Sequence, residues 1–253
     1  MTTHDAAVHD VTGGGYRYLE AFFQYSGGVR ALDGYHIERV RLRHPLPLAE
    51  GFARIEKHLA GLGLPLTSFC ACELRSPAQF TEAGFRSFNE LYVTTLERWG
   101  VFADGRNPVA HSNVVPPIDP PPATVFHAFS YARPGKVLAP NFVISGSGEV
   151  AERGGSYLDH TVARGDVSPA GMRAKALCVI GEIEQRMAGL GVGWADTTDS
   201  QVYTVYDVHS YMAEDLVRRG PGARGFTWHF CRPPLLELEF ELDCRGVESE
   251  RML

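Results

Sequence analysis

One tetrapeptide occurs twice in this chain, and each copy closes a helix-period pattern. Ala60-Gly61-Leu62-Gly63 returns as Ala188-Gly189-Leu190-Gly191, 128 residues on. Ahead of the first copy, Leu48, Phe52, Ile55, Leu59 and Leu62 recur at steps of three and four. Ahead of the second, Met172, Ala176, Val179, Ile180, Ile183, Met187 and Leu190 keep the same period. Both stripes predict amphipathic helices with one apolar face. Gly63 and Gly191 stand where a helix C-cap takes a left-handed residue, and Pro47 and Pro169 fall near the helix starts.

The agreement extends outward from the two helices. A strand pattern follows each, Thr67 to Leu74 and Gln201 to Val208. A strand pattern ending in Ser-Gly precedes each, Phe22 to Ser26-Gly27 and Asn141 to Ser145-Gly146, 119 residues apart. Near the ends stand His111 and Arg224, 113 residues apart. Each is followed by a proline-containing loop and a closing strand pattern, Thr124 to Ala132 or Leu235 to Leu242. Changing offsets mean insertions in loops. Alternating β and α elements with hairpin-like ends predict an α+β fold, a mixed sheet with helices on one face, built twice. The expected division is a disordered leader over 1–14, one domain over 15–133 and a second over 134–253.

Composition removes several function classes. A length of 253 residues suits two domains, and 44% apolar content supports a packed core. Net charge is −6 without a run of five basic residues, so no nucleic-acid partner is expected. No apolar stretch of about 18 residues occurs, so no membrane partner is expected. Met1 to Gly15 lacks the apolar region of a signal peptide, which makes the cytoplasm the expected location. Five scattered cysteines read as reduced thiols, and Cys70 and Cys72 as two small residues of a core strand. No second Cys/His pair has zinc spacing, so no metal is expected. Ser145-Gly146-Ser147-Gly148 lacks the lysine and full glycine spacing of a phosphate loop, and no Gly-x-Ser-x-Gly elbow is present.

In order and spacing these motifs resemble the Rid (YjgF-type) family. The matching residues are Ser145-Gly146, Gly191, Ala223-Arg224 and Glu237-Leu238-Glu239 in the second half. In the first they are Ser26-Gly27, Gly63, Phe88-Asn89, Tyr92 and Ala110-His111-Ser112. The resemblance implies two fused Rid-like domains, a trimeric assembly with clefts between neighbouring units, and hydrolysis of amino-acid-derived imines or enamines without metal or cofactor. A family arginine grips the substrate carboxylate, and a closing-strand glutamate positions water. The tandem form is similar to proteins of aromatic degradation whose substrate is an aminomuconate-type enamine.

The candidate site follows from that resemblance and from side-chain chemistry. Arg224 offers a planar, always-charged fork for a carboxylate. Glu237, Glu239 and Glu241 alternate with apolar residues and would share one strand face; Glu237 or Glu239 is expected to orient water. Backbone groups at Ser145 and Gly146 would polarise the substrate, and Asn89 and Tyr92 would complete the cleft. In the first half His111 stands at the arginine position and His127 near the glutamate position, so that site is either degenerate or an acid–base pair. Asn113 and Phe226 occupy places where many members carry a cysteine. The expected function is a cofactor-free enamine or imine deaminase of a small carboxylate. The alternatives are a non-catalytic carboxylate-binding module and an isomerase or cyclase using the same cleft.

Overall fold

The computed structural model describes residues 6–151 and 155–253. Strands β1 (Val8–Val11), β2 (Tyr16–Leu19) and β3 (Gly28–Ala31) come first. They lead into β4 (Tyr35–Pro47), α1 (Leu48–Gly61), β5 (Phe69–Arg75), α2 (Glu82–Arg98), β6 (Ala110–Val114) and β7 (Val125–Pro134). Then come β8 (Phe142–Gly148), α3 (Pro169–Gly189), β9 (Asp199–Tyr203) and the single-turn α4 (Met212–Asp215). Strands β10 (Thr227–His229), β11 (Glu241–Gly246) and β12 (Ser249–Met252) end the chain.

Two sheets form, and each contains the same four-strand arrangement. One has the order β4-β7-β5-β6 and the other β8-β11-β9-β10. Within each, the first two neighbour pairs are antiparallel and the third is parallel. Strand β12 adds to β4, making a five-stranded sheet. Strands β1, β2 and β3 extend the other sheet beyond β8 to seven strands.

The helices form where the sequence places them. Ser168 caps α3, its hydroxyl accepting from the Gly171 N–H at 3.2 Å, and Pro169 occupies the first helical position. Gly63 and Gly191 both take left-handed backbone just past their helices, at φ +68° and +66°. Helices α1 and α2 cover the five-stranded sheet, with Phe52, Ile55, Leu59, Tyr92 and Leu96 against Val40, Leu74, Phe126 and Phe129. Helix α3 covers the other sheet, with Met172, Val179, Ile183 and Met187 against Phe142, Ile144, Val202 and Leu242. Each fully buried side chain of this size stabilises by about 1.5–3 kcal/mol. The remaining faces of the two sheets meet each other. Part of that seam is apolar, with Tyr16, Val29, Ile37, Ala71, Ala110 and Ala132. The rest is charged: Arg39 donates to Glu73 at 2.5 and 2.8 Å, and Asp243 accepts from Ser112, Gln201 and Tyr203 at 2.6–2.9 Å.

Four expectations differ from the observed fold. Residues 8–11, assigned to a disordered leader, pair with β2; residues 1–5 lie outside the described residues. Phe22 to Gly27 is a loop, and the strand that feeds α1 is β4. The closing strand starts at Glu241, not Leu235, because residues 235–238 turn. Sheet membership also crosses the expected 133/134 boundary, since β1–β3 join the later sheet and β12 the earlier one.

Candidate active site

A cleft of about 350 Å³ opens where β6 and β8 come together with the start of β11. The loop around Phe22 and Tyr25, the first turns of α2, Arg186 of α3 and the Pro234–Leu238 turn complete its walls. Glu241, the first residue of β11, pairs with Gly148 on one side and Tyr203 on the other. Its carboxyl lies over Gly146: a Cβ there would stand 2.2 Å from Glu241 Oε1 and 3.1 Å from Ser112 Oγ. The glycine is required for space, since its φ is ordinary. Burial pushes the Glu241 carboxyl well above the usual range, with nearby Asp243 adding to the effect; Arg75 and Arg186 oppose it. Burial in the cleft therefore favours the protonated form of this acid.

Arg186 reaches the cleft from the last turn of α3 and is 1% exposed. Its Nη1 donates to the carbonyls of Ser145 and Gly146 at 3.1 and 3.3 Å, which fixes the guanidinium beside β8. Arg86, at the mouth, is exposed and lies over the Phe23 ring at 5.4 Å. His111 of β6 stands between the rings of Tyr25 and Tyr92, at 6.1 and 5.3 Å. Burial pushes its pKa down to about 4, so the ring is neutral at pH 7. Neither ring nitrogen has a hydrogen-bond partner among the described residues.

The structure brings only some of the expected residues to this cleft. His111 and Gly146 line it. Ser145 lies just behind, its hydroxyl donating to the Ser26 carbonyl at 2.5 Å and accepting from the His111 N–H at 3.0 Å. It is a stitch between β6, β8 and the 20–27 loop. Tyr92 supports the His111 ring from α2, with its hydroxyl 3.3 Å from Cys72 Sγ. Asn89 is buried within α2 and donates to the Phe85 carbonyl at 2.8 Å. The others lie elsewhere. Arg224 is exposed in the turn before β10 and donates to the Thr197 carbonyl. Glu237 is exposed, at φ +66°, and forms a two-pronged pair with Arg164. Glu239 pairs with Arg232. His127 sits in β7, and burial together with Arg75 pushes its pKa down to about 3.

Arg186 and Arg86 were not singled out from the sequence, and Asn113 was named only as standing where many Rid members carry a cysteine. Glu241 was visible only as the third glutamate of an alternating run. Arg186 did carry a signal. It falls between Ile183 and Met187 on the apolar stripe of α3, where a charge has no reason to be unless something buried needs it. Lys175 breaks the same stripe, and it pairs with Glu149 at 3.2 Å with both side chains fully buried. No helix among the described residues is long and apolar enough to cross a membrane.

Comparison with known proteins adds to this geometry. A 2-amino-5-chloromuconate deaminase of Comamonas testosteroni is 49% identical over 244 residues, which cover 95% of this chain and 96% of that protein. A chorismatase crystal structure superposes with a TM-score of 0.51 at 17% identity, covering 87% of this chain and 77% of its own; that likeness concerns the fold. The YjgF gene product of E. coli covers 45% of this chain at a TM-score of 0.29. The family model described as 2-aminomuconate deaminase CnbZ matches residues 8–251. A match over nearly the whole chain, joined to close identity with a deaminase of the same length, makes this chain a member of the 2-aminomuconate deaminase family, enzymes that act on carbon–nitrogen bonds.

Proposed function

We propose that this enzyme hydrolyses 2-aminomuconate-type enamines, unsaturated dicarboxylates with an amino group beside one carboxylate, and that Glu241 carries the proton. The observation behind this reading is one cleft that joins a buried carboxyl group, whose pKa burial raises, to a buried guanidinium. Arg186 takes the carboxylate next to the amino-bearing carbon, since guanidinium stays charged when buried and binds carboxylates as a fork. Arg86 at the mouth meets the distal carboxylate.

Glu241 gives its proton to the diene carbon chain while the nitrogen lone pair forms a C=N bond. Water adds to that carbon, and its proton returns to the Glu241 carboxylate. In the resulting carbinolamine the hydroxyl proton passes to nitrogen, the C–N bond breaks, and ammonia leaves a 2-oxo acid. Enamine and water have become oxo acid and ammonia, and Glu241 is protonated again. Neutral His111 offers an acceptor nitrogen for the water. Catalysis rests on orientation and on charges already in place.

In this reading His111 stays in the cleft as an acid–base group, while Gly146 serves by leaving room for Glu241 and not by polarising the substrate through its backbone. Arg186 takes the role assigned to Arg224, and Glu241 that assigned to Glu237 or Glu239. The repeated strand order supports a duplicated Rid-type unit. The homotrimer that the family resemblance implies would bury the open face of each sheet, and here the two sheets of one chain cover each other; light scattering at micromolar concentration decides the assembly. The central test is ammonia release from freshly generated 2-aminomuconate. No acceleration over the spontaneous rate would sink the proposal.

A further inference from the structure

Strand β6 sends two side chains to the cleft, His111 and Asn113, which lie two residues apart and share a face. Asn113 is 2% exposed. Ser76 Oγ donates to its Oδ1 at 2.8 Å, and Thr124 Oγ1 stands 3.0 Å from Ser76 Oγ. The carboxamide oxygen is thus tied down on the side away from the cleft, and the plane of the amide with it. The nitrogen Nδ2 is buried and has no hydrogen-bond partner among the described residues. Buried donors in native proteins are nearly always paired, and an unmade bond is costly. The open volume beside Asn113 is the place from which a partner can come.

We propose that Asn113 is a substrate-binding residue: its carboxamide N–H donates to the carboxylate beside the reacting carbon, with Ser76 and Thr124 as the buttress that aims it. The inference rests on the deaminase reading of the cleft and names a residue that reading did not need. The chemistry picks the carboxylate over the amino group. An amide N–H only donates, so its partner must accept. The enamine nitrogen has its lone pair drawn into the diene and accepts poorly, whereas carboxylate oxygens accept strongly. The ligand class is a carboxylate attached to a flat, unsaturated carbon. A carboxamide and a guanidinium together would hold such a group in one plane next to Glu241.

Asn113→Asp is the discriminating variant, because it keeps the shape and the Ser76 bond but replaces the donor with an anion. The KM for 2-aminomuconate should rise at least about tenfold, the loss expected for a hydrogen bond to a charged group. The Kd for cis,cis-muconate, which lacks the amino group and cannot be deaminated, should rise by a similar factor in calorimetry. Ser76→Ala does not reach the cleft and should still raise KM by a few-fold, because the amide is released. It keeps the test open if the Asp variant does not fold. A purely structural role would lower the melting temperature and leave KM and Kd alone. Values of KM and Kd within twofold of wild type for folded Asn113→Asp would overturn the proposal, since the amide would then present oxygen to the cleft. If the wild type binds muconate but releases no ammonia, the deaminase reading fails and Kd alone decides Asn113. If it binds neither ligand, both fall.

Discussion

At the scale of single residues the site depends on one acid and on the space left for it. Glu241→Gln keeps the shape and removes the proton, so kcat for ammonia release should fall by about 10²–10⁴, the usual contribution of general acid–base catalysis. Muconate binding should change little. The pH profile has a definite sign. Burial raises the Glu241 pKa, its protonated form is the working one, and activity should decline as pH climbs through that raised value. Gly146→Ala would put a methyl group 2.2 Å from Glu241 Oε1. Such overpacking costs about 1–3 kcal/mol, and here it should displace the carboxyl as well. A protein that melts only a few degrees lower but has lost most of its kcat is the expected result. The sequence marked His111 and Gly146 because motif order reaches them. It did not mark Arg224's absence from the cleft, because an arginine in a glycine-rich turn looks the same whether it faces a ligand or, as here, the Thr197 carbonyl.

The elements were legible where one periodicity ran unopposed. α1 and α3 begin and end within a few residues of their apolar stripes and caps. The closing strand was misplaced because its alternating glutamates and leucines fit a period of two while the backbone does something else. Glu149 accepts the N–H groups of Glu239 and Phe240 at 2.6 and 3.0 Å, so a side chain takes donors that a neighbouring strand would otherwise have used. That carboxylate is held in turn by Lys175 of α3. Lys175→Met would leave Glu149 buried without its cation, a loss of about 3–5 kcal/mol in urea denaturation. Pairing it with Glu149→Leu should recover less than the full amount, because two backbone N–H groups then lose their acceptor. Full recovery would mean that the ion pair does nothing for the start of β11.

Across the whole molecule the charged seam between the sheets sets the response to acid. Burial pushes His111, His127 and His229 down to about 4, 3 and 4, so they are neutral in the folded protein. Between those values and the ordinary histidine pKa near 6.5, the unfolded chain binds protons that the folded one does not. These three groups make stability fall as pH drops from 7 toward 5, against the opposite contribution of the Glu241 carboxyl, whose pKa burial raises. His127→Gln removes one of these groups and should make the fall shallower in thermal melts; an unchanged slope would contradict the assignment. That two sheets recur was legible in the sequence. That they trade edge strands was not, because pairing across 100 or more residues leaves no local mark. The trade has a practical side. Severed in the connection at 135–141, the chain would become two polypeptides, each lacking edge strands that only the other carries. Since the cleft takes walls from both, neither piece alone could be active. Ammonia release would report their reunion, which makes the fold a natural scaffold for a split-enzyme sensor of two tethered partners.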